Sequence, residues 1–220
     1  IQMDRIPHED DTISIETWIE KIGTAFTTRN FRISDADGIV IGYAATSWAI
    51  MDMKTRRSIP LDSIPAMKEF IINESTPIGD PEHLPGVEGE IVNSFTVRYS
   101  QIDVKNRKIE HSEAVLSQLI KKMRYKTVTD FYIDIADDKI DVNNHANSLY
   151  YVQWISDCFS LDFYREHRIR RFDINFLKEL TIDDKGKVHR EEVAPDDFRF
   201  EIVTRDKGIA CRARLLFEEV

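Results

Sequence analysis

Asp141, Asn143 and His145 stand two residues apart in the run Ile140-Asp141-Val142-Asn143-Asn144-His145-Ala146-Asn147. In an extended segment that spacing turns all three side chains to one side. The run leads into an apolar stretch of helical spacing, so it also lies where a helix starts, with free backbone N–H groups and partial positive charge. A carboxylate, an amide, an imidazole and backbone donors gathered there can polarise a carbonyl and move a proton. Asn and Asp are also favoured helix caps, and one His can be a plain polar neighbour, so a structural reading stands beside the chemical one. A further carboxylate, Glu179, falls in residues 170–181. Alternation there sets Phe172, Ile174 and Phe176 on one strand face and Asp173, Asn175, Leu177 and Glu179 on the other. Taken alone, Glu179 reads as an exposed charge at a strand end.

Other site types are missing from the sequence. It has no GxSxG elbow, phosphate loop, GxGxxG, HExxH or CxxC, which removes support for a serine hydrolase, an NTPase, a nicotinamide enzyme or a zinc protease. Cys158 and Cys211 cannot form a disulfide framework or a cysteine-based zinc site, and a reducing compartment is their simplest home. With 30 basic and 39 acidic residues the net charge is −9, which argues against nucleic acid as the main partner. Positive charge is concentrated locally at Lys54-Arg56-Arg57, Lys121-Lys122-Arg124 and Arg165-Arg168-Arg170-Arg171. No apolar run approaches the ~20 residues of a membrane span, and no cationic, apolar leader opens the chain.

The elements that must position these residues follow from periodicity. At 220 residues with 42% hydrophobic content, the chain suffices for one large domain or two small ones with packed cores. Residues 12–20 alternate Ile13, Ile15 and Ile19 with Ser14, Glu16 and Glu20, a half-buried strand. Residues 30–34 and 39–51 flank Asp35-Ala36-Asp37-Gly38 and predict a hairpin whose return strand lies inside a sheet. Residues 198–202 and 209–217 around Arg205-Asp206-Lys207-Gly208 repeat the same unit. The proline-punctuated stretch 60–90 reads as a linker. Residues 145–159 predict a helix greasy over most of its girth, of the kind a sheet swallows. Residues 112–124 predict a second, amphipathic one with a basic end, and residues 127–135 a strand.

Together these residues resemble the plant and bacterial acyl-acyl-carrier-protein (acyl-ACP) thioesterases. The family pattern is Asp-x-Asn-x-His-x-Asn, with Tyr six and Trp nine residues after the His, matched by Asp141, Asn143, His145, Asn147, Tyr151 and Trp154. The first half is similar at Thr17-Trp18-Ile19-Glu20, Arg29-Asn30-Phe31 and Ser47-Trp48-Ala49-Ile50-Met51 running into Thr55-Arg56-Arg57. The resemblance implies an α+β double hotdog, two units each wrapping an antiparallel sheet around a central helix. The first, residues 1–90 with the linker, would lack its opening strand and helix. The second, catalytic unit would be residues 91–220 with an insertion at 105–142; in the alternative, residues 93–124 supply the missing opening.

The same resemblance implies hydrolysis of the acyl-ACP thioester to release a free fatty acid in fatty acid biosynthesis. Catalytic roles fall on Asp141, Asn143, His145 and Glu179, the last placed by matching Phe176-Leu177-Lys178-Glu179 to the family's aromatic-x-x-Glu. Where plant members have a Cys after that Glu, this chain has Leu180, which excludes a thiol nucleophile there and favours attack by water. No metal or organic cofactor is implied. The expected partner is the acidic acyl carrier protein, not nucleic acid or membrane, in the bacterial cytoplasm, and the sequence leaves a homodimer open. An acyl-coenzyme A thioesterase and a non-catalytic acyl- or partner-binding hotdog protein are the alternatives.

Overall fold

Local turn chemistry sets the first hairpin. The Asp35 carboxylate accepts the N–H groups of Asp37 (3.1 Å) and Ile39 (2.9 Å), and Gly38 takes the left-handed φ of 79° that closes the turn. On either side run β3 (Thr27–Ser34) and β4 (Val40–Trp48), antiparallel. The computed structural model describes residues 1–52, 54–55, 57–61, 64–88, 91–96, 128–134, 145–181 and 184–220. These form two compact units, Ile1–His83 with Arg170–Phe172, and Leu84–Ile169 with Asp173–Val220.

In the first unit, β1 (Gln2–Met3) pairs with β4, and β2 (Ser14–Ile22) pairs with β3, so β4 is an interior strand as predicted. On β2, Trp18 is buried and Glu20 half-buried, whereas Ile13, Ile15 and Glu16 remain exposed. Trp18 Nε1 and Asn30 Nδ2 both donate to the Glu74 carbonyl, at 2.6 and 3.2 Å, and Asn30 Nδ2 also reaches Glu20 (2.6 Å). Arg32 pairs with Glu16 and Glu74 and lies 5.3 Å from the Trp18 ring centroid. A polar face is covered here because the segment around Glu74 meets its hydrogen-bonding groups. Much of the stretch read as a linker is therefore packed on this unit: Leu61 N–H bonds to Thr24, Ile72 N–H to Ile19, and Lys21 pairs with Asp80 at 2.6 Å. A short 3₁₀ helix, Pro65–Phe70, lies between these anchors.

The second unit holds β5 (Ile91–Thr96), β6 (Val128–Asp134), α1 (Ser148–Ser156), α2 (Leu161–Glu166), β7 (His167–Phe176, shared with the first unit), β8 (Lys185–Ala194), β9 (Asp197–Thr204) and β10 (Gly208–Glu219). The strand order is β7-β10-β9-β8-β6-β5; β10 with β9, β9 with β8 and β8 with β6 pair antiparallel, and β6 with β5 parallel. β6 matches the strand predicted at 127–135, and β9–β10 is the predicted second hairpin, closed by Gly208 at φ 69°. The predicted helix at 112–124 lies outside the described residues.

Helix α1 is shorter than its apolar spacing suggests. Asn147 ends it at the front, its side chain accepting the Leu149 N–H at 3.0 Å, and Asp157 ends it at the back. Tyr151, Trp154 and Ile155 on α1 are buried. So are Val188 of β8, Phe198, Phe200 and Ile202 of β9, and Leu215 and Phe217 of β10. Beyond the helix, Phe159 meets Phe163, Phe198 and Phe217 at centroid distances of 4.9, 4.9 and 4.8 Å. Arg190 is a polar member of this core. Its guanidinium donates to the Cys158 carbonyl at 2.5 Å and stacks 5.1 Å from the Phe159 centroid, tying the end of α1 to β8.

Phe159 thus fastens the end of the helix to the sheet through the contacts of its ring. Phe159→Ala should destabilise the second unit by about 3–5 kcal/mol, the usual range for a buried aromatic truncation. The check is a fall in the denaturant midpoint at unchanged m-value.

Candidate active site

The start of α1 meets the chain beyond β7. Ala146 N–H donates to the Leu180 carbonyl at 2.7 Å, so the residue before each partner is brought alongside the other. Those residues are His145 and Glu179, and His145 Nε2 lies 3.2 Å from Glu179 Oε2. The His145 side chain is 28% exposed and that of Glu179 51%, so water and substrate can reach both.

Glu179 does not sit on a strand face with Asp173 and Asn175, as alternation suggests. β10 carries a bulge between Ile209 and Cys211, and the carbonyl of its extra residue, Ala210, accepts from both Leu177 N–H (2.8 Å) and Lys178 N–H (3.0 Å). Two successive N–H groups converging on one oxygen break the pleat, and β7 ends at Phe176. Glu179 therefore belongs to the loop after the strand, where the start of α1 can meet it.

That loop is braced from two elements. Leu180 is fully buried, and its N–H donates to Tyr151 Oη of α1 at 3.1 Å; the same oxygen lies 3.5 Å from the Lys178 carbonyl. From the β9–β10 turn, Lys207 Nζ donates to the Glu179 carbonyl (3.3 Å), Thr181 Oγ1 (2.9 Å) and Asp184 Oδ2 (2.5 Å). Asp184 also accepts the Thr181 N–H at 2.7 Å. Burial pushes the Tyr151 phenol up to about 12, so it stays protonated across the working range. Burial opposes the Asp184 charge, but Lys207 and Thr181 outweigh it and hold that carboxyl below its usual value. A lowered carboxyl pKa stabilises the folded state above the ordinary Asp range and loses that contribution as pH falls through the shifted value.

Of the predicted site residues, His145 and Glu179 are brought together, while Asp141 and Asn143 lie outside the described residues. Asp173 is half-buried on β7. Among the described residues, no group of three His, Cys, Asp or Glu side chains is placed to hold a metal ion, and no helix is long and apolar enough to cross a membrane. A cavity of about 320 Å³ in the first unit, lined by Ile19, Thr27, Arg29, Trp48, Leu61 and Met67, contains none of the candidate residues. The bracing by Lys207 and Asp184 carries no signature in the sequence. Tyr151 was visible as a spaced aromatic, without its bond to the loop.

The arrangement offers a carboxylate and an imidazole that can share a proton beside a helix start with donor N–H groups. Both cysteines are buried, and burial raises both thiols above their usual range, away from thiolate chemistry. Cys158 Sγ donates to the Trp154 carbonyl at 3.2 Å. Replacing Cys158 and Cys211 together with Ala or Ser should leave the catalytic rate largely intact in protein that still folds. Turnover and circular dichroism on the double variant check this.

A family model described as the acyl-ACP thioesterase N-terminal domain matches residues 1–64, and one for the acyl-ACP thioesterase C-terminal domain matches residues 120–219. The chloroplastic palmitoyl-acyl carrier protein thioesterase of Cuphea hookeriana is 28% identical over 156 residues, 70% of this chain and 30% of that protein. The chloroplastic oleoyl-acyl carrier protein thioesterase 2 of Arabidopsis thaliana is 25% identical over 185 residues, 84% of this chain and 43% of that protein. The chain thus spans less than half the length of these curated relatives. An acyl-ACP thioesterase crystal structure from Bacteroides thetaiotaomicron superposes with a TM-score of 0.76 at 25% identity, covering 99% of this chain and 73% of that one. The 12:0-ACP thioesterase of Umbellularia californica superposes with a TM-score of 0.68 at 17% identity, covering all of this chain and 72% of that one, a likeness of hotdog fold.

Proposed function

The chain belongs to the acyl-ACP thioesterase family, and on that premise we propose that it hydrolyses the thioester of acyl-ACP, releasing a free fatty acid for fatty acid biosynthesis. The observation that carries the reading is the 3.2 Å approach of His145 Nε2 to Glu179 Oε2 beside the start of α1. Glu179, with His145, takes a proton from water as the water oxygen attacks the thioester carbon. The C–S bond then breaks, and the phosphopantetheine sulfur leaves as a thiol, taking the proton that the pair drew from water. Asn143, His145 and the helix N-terminus hold the carbonyl oxygen, where negative charge develops. Asp141 orients Asn143 or His145. Leu180, next to Glu179, offers no nucleophile, which keeps water as the attacking group. No cofactor enters these steps.

In this reading the two compact units are two hotdog units, the second of them catalytic. The buried thiols suit a reducing compartment, which we take as the bacterial cytoplasm. Acyl carrier protein is acidic, and the basic runs Lys54-Arg56-Arg57, Lys121-Lys122-Arg124 and Arg165-Arg168-Arg170-Arg171 are the parts of the sequence with the sign to meet it. Arg165, Arg168 and Arg170 already face Asp162 (2.6 Å), Glu218 (2.6 Å) and Asp4 (3.9 Å), which weakens the last cluster as a docking field.

Glu179→Gln keeps size and hydrogen bonding but removes the base. It and His145→Ala should each lower kcat by about 10²- to 10⁴-fold, roughly 3–5 kcal/mol of barrier, with folding retained. The assay uses one acyl chain carried on acyl carrier protein and on coenzyme A. Faster hydrolysis from the carrier protein is expected. Preference for coenzyme A would favour an acyl-CoA thioesterase, and no hydrolysis of either would leave a binding protein.

A further inference from the structure

We propose that Tyr151 and Lys207 are positioning residues for Glu179, gripping its backbone from the helix and from the β9–β10 turn so that its carboxylate stays within reach of His145. The inference rests on the hydrolytic reading above. Past Phe176 the chain leaves β7, so residues 177–181 have lost their strand ladder and their backbone groups need other partners. A phenol can accept one hydrogen bond and donate another. Tyr151 Oη accepts from Leu180 N–H at 3.1 Å, leaving its own hydrogen to point toward the Lys178 carbonyl at 3.5 Å. One oxygen atom thus spans Glu179, touching the residue before it and the residue after.

Tyr151 is itself immobilised. It is 3% exposed, with Trp154 and Phe176 rings each 5.4 Å from its own, the latter edge-on. It stands on α1, and His145 lies just ahead of that helix's Asn147 cap, so α1 borders both members of the pair. Lys207 completes the grip at the Glu179 carbonyl (3.3 Å), and Asp184 and Thr181 hold its ammonium in place. Glu179 has a long, half-exposed side chain, and a fixed backbone limits the volume its carboxylate can sweep. A misplacement of about 1 Å in a catalytic group can cost on the order of 10²-fold in rate.

The test combines Tyr151→Phe and Lys207→Met, singly and each with Glu179→Gln, measured for kcat, KM and melting temperature on acyl-ACP. Each single variant should lower kcat by about 10- to 100-fold with KM changed by less than about twofold. Neither should slow the Glu179→Gln enzyme further, because residues acting through one group are non-additive. Wild-type kcat in both folded single variants would overturn the proposal. So would an equal loss with and without Glu179, the mark of a merely structural role. If Tyr151→Phe fails to fold, Lys207→Met, on an accessible turn, decides by the same criteria. Near-normal kcat in Glu179→Gln alone would instead overturn the hydrolytic reading beneath the proposal.

Discussion

The hydrogen bond from Ala146 N–H to the Leu180 carbonyl, 2.7 Å long, joins two segments whose buried backbone groups need partners. A helix start has donors without intrahelical partners, and a strand that has just ended has lost its ladder. Joining them satisfies both and fixes a register. His145 precedes one partner and Glu179 the other, so their 3.2 Å approach follows from the register. The bulge at Ala210 serves the same end by stopping β7 early enough for the loop to turn toward the helix. The Phe159 ring cluster and Arg190 hold the far end of α1 against the sheet, which keeps its near end on the loop.

What was legible in the sequence was local. Both hairpins could be placed because their turns are made by adjacent residues, Asp35 to Gly38 and Arg205 to Gly208, with each Gly at positive φ. The apolar spacing of residues 145–159 located a buried helix but not its start, since Asn144, His145 and Asn147 are all polar and Asn147 alone supplies the observed cap. The covered face of β2 was not legible, because Glu74, more than fifty residues downstream of Trp18, supplies the acceptor for its indole. Nor was the place of Glu179 at the site's edge, since the bulge that ends β7 sits on another strand. The spaced motif marked His145 and Tyr151 as belonging together, and the aromatic-x-x-Glu match marked Glu179. The bonds that link them pass through backbone atoms, on which sequence is silent.

Charge and burial divide the work of the site. The groups assigned to proton transfer, His145 and Glu179, are accessible, whereas Tyr151 and Leu180, two of the groups that hold the loop, are buried. Rigid interior contacts fix the backbone while the reacting atoms face the solvent that supplies the nucleophile. The thiols lie in the interior with their pKa values raised, apart from this division. In the proposed reaction, water replaces a covalent nucleophile, and the carboxylate never bonds to the acyl carbon.

That distinction can be read from one isotope. A single turnover of acyl-ACP by excess enzyme in H₂¹⁸O, followed by mass spectrometry of the released acid and of the peptide carrying Glu179, traces the attacking oxygen. Base-assisted attack predicts one ¹⁸O in the acid and an unlabelled Glu179 carboxylate. Unlabelled acid with ¹⁸O in Glu179 would mean that the carboxylate itself attacked the thioester, and would contradict the mechanism.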